Sequence, residues 1–306
     1  MDHGELEVRN GFRGILSLPV TPFTRDDEID EAALRSLLDY IVENRPDGIV
    51  PTGSTGEFTL LSHEERKKVV EVTVDQVNGR TPVIAGTGAQ STWEAVALTK
   101  HAKDVGADGA MVVTPYFNRI NDEELYDYYK TIAEKVDIPI IVYNNPGCTG
   151  VNVKPDLLRR LAEDLDNIVS YKEDNFDLFQ FGSIIHRCAG MITLLTGSAF
   201  GLLAFLAMGG HGALCAEYQL APKLIREMYD TFQKGEVKRA VELHSKVAKL
   251  MHATFPMGTF PAGIKAILNL QGHRVGSPRR PILPSSKESV DSARKVLEEL
   301  DLLQIR

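Results

Sequence analysis

The sequence predicts a (β/α)8 barrel, the TIM-barrel fold, with a helical C-terminal extension, and three observations lead there. Eight short apolar runs alternate with longer segments of helical spacing along most of the 306 residues. Eight strand–helix units match a fold whose typical length is about 250 residues. The nearest alternative, an open doubly wound sheet, has about five or six strands and a glycine-rich first turn, and the chain has no GxGxxG.

The first apolar run is Gly14-Ile-Leu-Ser-Leu-Pro, and Leu34, Leu37, Leu38 and Ile41 mark the helix after it. Gly48-Ile-Val-Pro gives the second strand, with Val70, Val74 and Val77 on the next helix. Pro82-Val-Ile-Ala-Gly, Gly109-Ala-Met-Val-Val and the run from Ile138 to Tyr143 give strands three to five. The run from Ile168 to Lys172, Ile192-Thr-Leu-Leu-Thr and Gly212-Ala-Leu-Cys complete the eight. Ser62-x-x-Glu65, Ser91-x-x-Glu94 and Asn121-x-x-Glu124 read as N-caps, in which a side chain accepts from an otherwise unpartnered helix amide.

Beyond Ala216, three groups mark further helices: Leu224, Met228 and Phe232; Ala240, Leu243, Val247 and Leu250; and Ile264, Ile267 and Leu268. The Pro- and Arg-rich stretch from Gly276 to Pro284 reads as a loop, and Ser285 to Leu300 as a last helix. The barrel is expected over residues 1–216, with 217–306 a helical extension packed on it and not a second catalytic domain.

Composition excludes several classes of function. Hydrophobic residues at 43% and charged residues at 25% are ordinary for a soluble globular protein. Net charge is −8, and the longest basic run, Arg66-Lys67-Lys68, follows Glu64-Glu65 as a solvated helix face. Nucleic acid is therefore not an expected partner. No apolar stretch is long enough to span a membrane. The opening Met1-Asp-His-Gly-Glu-Leu-Glu is polar and acidic, unlike a signal peptide. Cys148, Cys188 and Cys215 lack CxxC spacing, which counts against a disulfide framework or a zinc site. A reducing cytoplasm is the expected compartment.

The chemistry centres on Lys172, an amine at the end of the buried run Ile168-Val-Ser-Tyr-Lys172. Desolvation disfavours a charged amine and is expected to lower its pKa, making it a nucleophile that forms Schiff bases with ketones. In a barrel, catalytic groups sit at the C-terminal ends of strands. Tyr143 ends the fifth strand there and offers a phenol for proton transfer. Thr52-Gly53-Ser54-Thr55-Gly56-Glu57 follows the second, with amides able to approach an anion and hydroxyls able to relay protons. Cys148 lies on the loop after Tyr143 with no cation nearby in sequence and reads as a small packing residue. His63 and His211 read as structural. Glu173 and Asp174 are placed to orient Lys172, but carboxylates after a strand end are expected to be solvated.

This ordered set resembles the dihydrodipicolinate synthase/N-acetylneuraminate lyase family of class I, pyruvate-handling aldolases. The likeness runs over nearly the whole chain. It begins at Pro19-Val-Thr-Pro-Phe23 and passes Gly53-Ser-Thr-Gly-Glu57, Thr114-Pro-Tyr116 and Tyr143-Asn-x-Pro. Lys172 and Gly209-Gly-His-Gly212 complete it. The resemblance implies Lys172 as the Schiff-base lysine and Tyr143 as the proton-transfer residue. It implies Ser54 and Thr55, with the Gly53 turn, as binders of the pyruvate carboxylate, Ser54 also joining the proton relay. Leu214 matches a position whose backbone contacts the bound keto acid. The family is mostly tetrameric, a dimer of dimers, and needs neither metal nor organic cofactor.

Departures from the family pattern bear on the substrate. In the synthase branch an arginine that holds the carboxylate of aspartate semialdehyde stands where this chain has Cys148. A tyrosine lent across a subunit interface stands where this chain has Phe117. Sialic acid lyases carry acidic residues where this chain has Ser198, Ala199 and Phe200. Gly197-Ser-Ala-Phe200 with Cys215-Ala216 looks more like the 4-hydroxy-2-oxoglutarate aldolase branch. The expected activity is cleavage or formation of a 2-keto acid from pyruvate and an aldehyde through an enamine on Lys172. Two alternatives stay open: condensation of pyruvate with aspartate semialdehyde (4-hydroxy-tetrahydrodipicolinate synthase activity), and dehydration of a deoxy sugar acid.

Overall fold

The structure, a computed structural model, describes residues 11–175 and 177–303. The polar N-terminal stretch and the last residues of the extension lie outside them. The chain has the (β/α)8 barrel fold. Its strands are β1 Gly14–Ser17, β2 Gly48–Ile49, β3 Ile84–Gly86, β4 Gly109–Val113, β5 Ile140–Asn144, β6 Ile168–Glu173, β7 Thr193–Thr196 and β8 Gly212–Cys215. They are hydrogen-bonded in the order β2-β1-β8-β7-β6-β5-β4-β3, with parallel pairing.

Several strands are shorter than their apolar runs, and proline accounts for the trimming. β1 stops before Pro19 and β2 before Pro51, while β3 starts after Pro82 and β5 after Pro139. A proline has no N–H to give to the ladder.

The chain divides into two compact units, one of Pro82–Leu214 with the described residues up to Gly14, the other of Ile15–Thr81 with the described residues from Cys215 onward. In the first unit, Val142 and Tyr171 on the strands join a core with Leu158, Leu161, Phe181 and Phe205 from the helices. Below the strands, the Phe12 amide donates to Ser170 Oγ at 3.0 Å, and Ser170 Oγ lies 2.6 Å from Thr193 Oγ1. These buried hydroxyls are satisfied, as burial demands. The Phe12 ring sits so close to Gly109 that a Cβ there would lie 2.6 Å from it.

In the second unit, the Gln219 side-chain amide donates to Leu18 O at 2.7 Å and accepts from the Val20 amide at 3.2 Å. The expected C-terminal helices are Pro222–Gln233, Val237–Thr254, Ala262–Leu270 and Lys287–Glu299. Among the described residues, no helix is long and apolar enough to cross a membrane.

Ser62 with Glu65 and Asn121 with Glu124 form complete capping boxes. Ser91 differs. It occupies the N-cap position without capping a backbone amide, and its hydroxyl donates instead to the Glu94 carboxylate at 2.8 Å.

Candidate active site

Parallel pairing of β5 with β6 sets Tyr143 directly beside Lys172. Both side chains are buried, and the lysine Nζ lies 3.8 Å from the Tyr143 ring centroid. The Tyr143 hydroxyl donates to Asp174 Oδ2 at 2.7 Å and accepts from the Asn145 side-chain amide at 2.9 Å. Lys172 Nζ is 3.3 Å from the same Asp174 Oδ2. Four residues at the ends of two neighbouring strands thus share one hydrogen-bonded cluster.

The electrostatics correct the expectation for Lys172. Burial does pull its pKa down, but the Asp174 carboxylate and the Tyr143 phenol push it up by more, so it stands above the ordinary lysine value. Desolvation alone therefore does not make this amine neutral; a proton acceptor must do so.

Asp174 is the residue that sequence reasoning undervalued. Its side chain is only 16% exposed and faces Tyr143, Asn145 and Lys172. Glu173 is also far from solvated. It is fully buried and accepts from the Tyr171 hydroxyl at 2.8 Å, Asn144 at 2.9 Å, Gln180 at 2.9 Å and the Asn175 amide at 2.9 Å. Burial still raises its pKa despite those donors. Alternation along the strand sends Glu173 away from the Lys172 side and so into a structural network.

Cys148 is exposed, in the short helix Pro146–Thr149 that Asn145 caps through the Cys148 amide. Phe117 is exposed with φ 75°, and it has no hydroxyl to place in a relay. Leu214 is buried in β8. Ser198 and Ala199 are buried after β7, while Phe200 is exposed. His211 accepts from the Leu194 amide through Nδ1 at 3.1 Å, and its burial lowers its pKa, in keeping with a structural role.

In the second unit, the turn after β2 is tightly built. Thr52 and Glu57 bracket it with φ 56° and 58°. The Gly56 amide donates to Gly53 O at 3.0 Å and the Glu57 amide to Ser54 O at 3.1 Å. Thr21 Oγ1 donates to Gly56 O at 2.7 Å. Thr55 is buried and Ser54 half-buried. Glu57 is held by Lys265 Nζ at 2.6 Å and by the Arg279 amide at 2.8 Å, and Arg279 also forks onto Glu65 at 2.9 and 2.7 Å. No local sequence signal ties Glu57 to the C-terminal extension.

A lysine at a strand end, beside a phenol and a carboxylate, is equipped to condense with a carbonyl compound and to move the protons involved. On a (β/α)8 barrel this defines a lyase of the class I aldolase kind. The sequence profile of the dihydrodipicolinate synthetase family matches residues 11–300, and the chain belongs to that family. It is thus a pyruvate-dependent carbon–carbon lyase.

The 4-hydroxy-tetrahydrodipicolinate synthase of Syntrophus aciditrophicus is 43% identical over 292 residues, covering 95% of this chain and 99% of the relative. The crystal structure of dihydrodipicolinate synthase from Aquifex aeolicus superposes with a TM-score of 0.92 at 36% identity, covering 96% of this chain and 100% of that one. A prophage protein of the dihydrodipicolinic acid synthase family from E. coli K12, solved in complex with pyruvate, gives a TM-score of 0.91 at 30% identity, covering 95% and 99% of the two chains.

Proposed function

We propose that the protein makes or cleaves a hydroxylated 2-keto acid by carrying pyruvate as an imine on Lys172. The observation that carries this reading is the pairing of the buried Lys172 amine with Tyr143 across β5 and β6. In cleavage, the C2 iminium accepts the electrons of the C3–C4 bond while Tyr143 takes the C4 hydroxyl proton. Ser54 and Thr55, on the Gly53 turn, hold the pyruvate carboxylate, and Ser54 also relays protons. The Leu214 backbone contacts the keto acid, and Cys148 lines the aldehyde side. These last roles rest on the family resemblance, as do a cytoplasmic location and a homotetramer built as a dimer of dimers.

Borohydride added with pyruvate should fix a reduced pyruvyl group on Lys172 and inactivate the enzyme. Mass spectrometry should find no such adduct on Lys172→Ala. An adduct that persists in that variant, or none in the unmodified protein, removes the assignment.

The names of the relatives favour a second reading, 4-hydroxy-tetrahydrodipicolinate synthase activity on pyruvate and aspartate semialdehyde. Cys148 and Phe117 weigh against it, because a thiol cannot give a carboxylate the charge-assisted pair that an arginine gives. That deficit is about 1.5–3 kcal/mol, or roughly 10–150-fold in affinity. Cys148→Arg should therefore raise condensation with aspartate semialdehyde by about that factor. High synthase turnover in the unmodified protein would instead select the second reading.

A further inference from the structure

Asp174 stands out because the mechanism above gives it no part although it touches both reacting side chains. Its Oδ2 accepts the Tyr143 proton at 2.7 Å, lies 3.3 Å from Lys172 Nζ and is 3.4 Å from the Asn145 side-chain amide. The Asp174 amide is fixed on Asn144 O at 3.0 Å. From the end of β7, Gly197 packs against the carboxylate so closely that a Cβ there would lie 2.0 Å from Oδ1. A side chain at 197 would push the carboxylate out of this position. The carboxylate is thus placed by the backbone on one side and by two reacting groups on the other.

We propose that Asp174 is a catalytic residue, the acceptor for the Lys172 and Tyr143 protons, and that its charge restricts the aldehyde partner to one without a distal anion. This rests on the imine reading of the site.

The steps balance. The Lys172 ammonium passes a proton to Asp174, and the freed amine adds to the C2 carbonyl of the keto acid. Asp174 returns that proton to the carbinolamine hydroxyl, which leaves as water as the iminium forms and the carboxylate is restored. In cleavage, the C4 hydroxyl proton moves to the Tyr143 oxygen as the Tyr143 proton moves to Asp174 Oδ2. The C3–C4 electron pair becomes the enamine and the aldehyde departs. The same proton then returns through Tyr143 to C3, giving pyruvate after hydrolysis, with nothing oxidised or reduced. Phe117 leaves the tyrosine without a second phenol at that position, and Asp174 supplies the acceptor instead.

The selectivity follows from the same charge. A carboxylate on Tyr143, with a thiol at 148 where a cation would be needed, repels an anionic aldehyde and tolerates a neutral hydroxylated one. Among the described residues, the charged or titratable groups facing Asp174 are Tyr143 from the end of β5 and Lys172 from β6. Gly197, from the end of β7, adds none, and the Glu173 side chain is engaged with Tyr171, Asn144 and Gln180.

The test uses the full chain and its Asp174→Asn and Asp174→Ser variants, with thermal melts to confirm folding. Pyruvate is trapped with cyanoborohydride from pH 5 to 9, and kcat and KM are measured with D-glyceraldehyde and with aspartate semialdehyde. Both variants should keep the Lys172 adduct but lower kcat with glyceraldehyde by about 10²-fold or more. The acid limb of trapping should move to lower pH, because the charge that keeps Lys172 protonated is gone. The ratio of kcat/KM for aspartate semialdehyde to that for glyceraldehyde should rise about tenfold in the variants.

An unmoved acid limb with kcat within about threefold of the parent overturns the role of Asp174 while leaving the imine intact. If the variants fail to fold, the unmodified enzyme still decides: a higher kcat/KM for aspartate semialdehyde than for glyceraldehyde overturns the selectivity. No adduct in the unmodified enzyme overturns the imine reading and this inference together.

Discussion

Two lysines, each buried and each paired with a carboxylate, behave in opposite ways. Lys172 in the first unit sits 3.3 Å from Asp174 against the Tyr143 ring, and its pKa lies above the ordinary value. Lys265 in the second unit is 2.6 Å from Glu57, donates to Ser277 O at 3.0 Å and lies over the Phe23 ring at 4.2 Å. Its pKa is lowered to about 8, chiefly by burial, with the Arg279 charge adding to the fall and Glu57 opposing it.

Burial is common to both, so burial does not identify a nucleophile. What differs is what surrounds the pair. Asp174 shares its oxygen with a phenol that can carry protons onward, whereas Glu57 is clamped by Lys265 and the Arg279 amide. One pair is built to exchange protons, the other to hold a turn.

The sharpest way to break this contrast is Tyr143→Phe. It removes the proton carrier and leaves the amine, so turnover should fall by about 10²–10⁴-fold while a slowed Lys172 adduct still forms. Steady-state kinetics beside adduct mass decides this, and unchanged turnover would mean that another group moves the proton.

Lys265→Met should act on stability. Leaving Glu57 charged and buried without its partner costs about 3–5 kcal/mol. Denaturant unfolding measures that loss, and Lys265→Met combined with Glu57→Gln should recover much of it. If Lys265→Met instead destroys the Lys172 adduct in a protein that is still folded, the division of labour between the two lysines fails.

The smallest effect is in the pH dependence of stability. Lys265 titrates near 8 when folded and near 10.5 when unfolded, so between those values the unfolded chain binds more protons. Its contribution to stability therefore rises with pH across that window. For Lys172, raised when folded, the sign is reversed: its contribution is present below the ordinary lysine pKa and is lost as pH climbs above it. Unfolding curves from pH 7.5 to 10 should show a flatter slope for Lys265→Met than for the unmodified protein.

The barrel was legible because its pattern is repetitive. Each apolar run is short and bounded, and prolines trim the strand ends in ways the run lengths alone do not show. Lys172 and Tyr143 were legible because both end buried runs, and parallel register places such ends side by side. Asp174 was not, since a residue just past a strand end points wherever the turn sends it, and here it lies inward on the Tyr143 hydroxyl, with Gly197 leaving it room. The link between Glu57 and Lys265 was equally hidden, because it joins the turn after β2 to a helix near the other end of the chain.

Sequence by itself determined the alternation of strands and helices, the helical C-terminal segments, and the residues available for imine chemistry. Hydrophobic period and residue type are local properties, and the chain states them directly. The tertiary structure decided the ionisation of those residues, because a pKa depends on which charges lie within a few ångströms, whatever their separation along the chain. It raised one buried lysine, lowered another, and drew Asp174 out of the solvent and onto the Tyr143 hydroxyl.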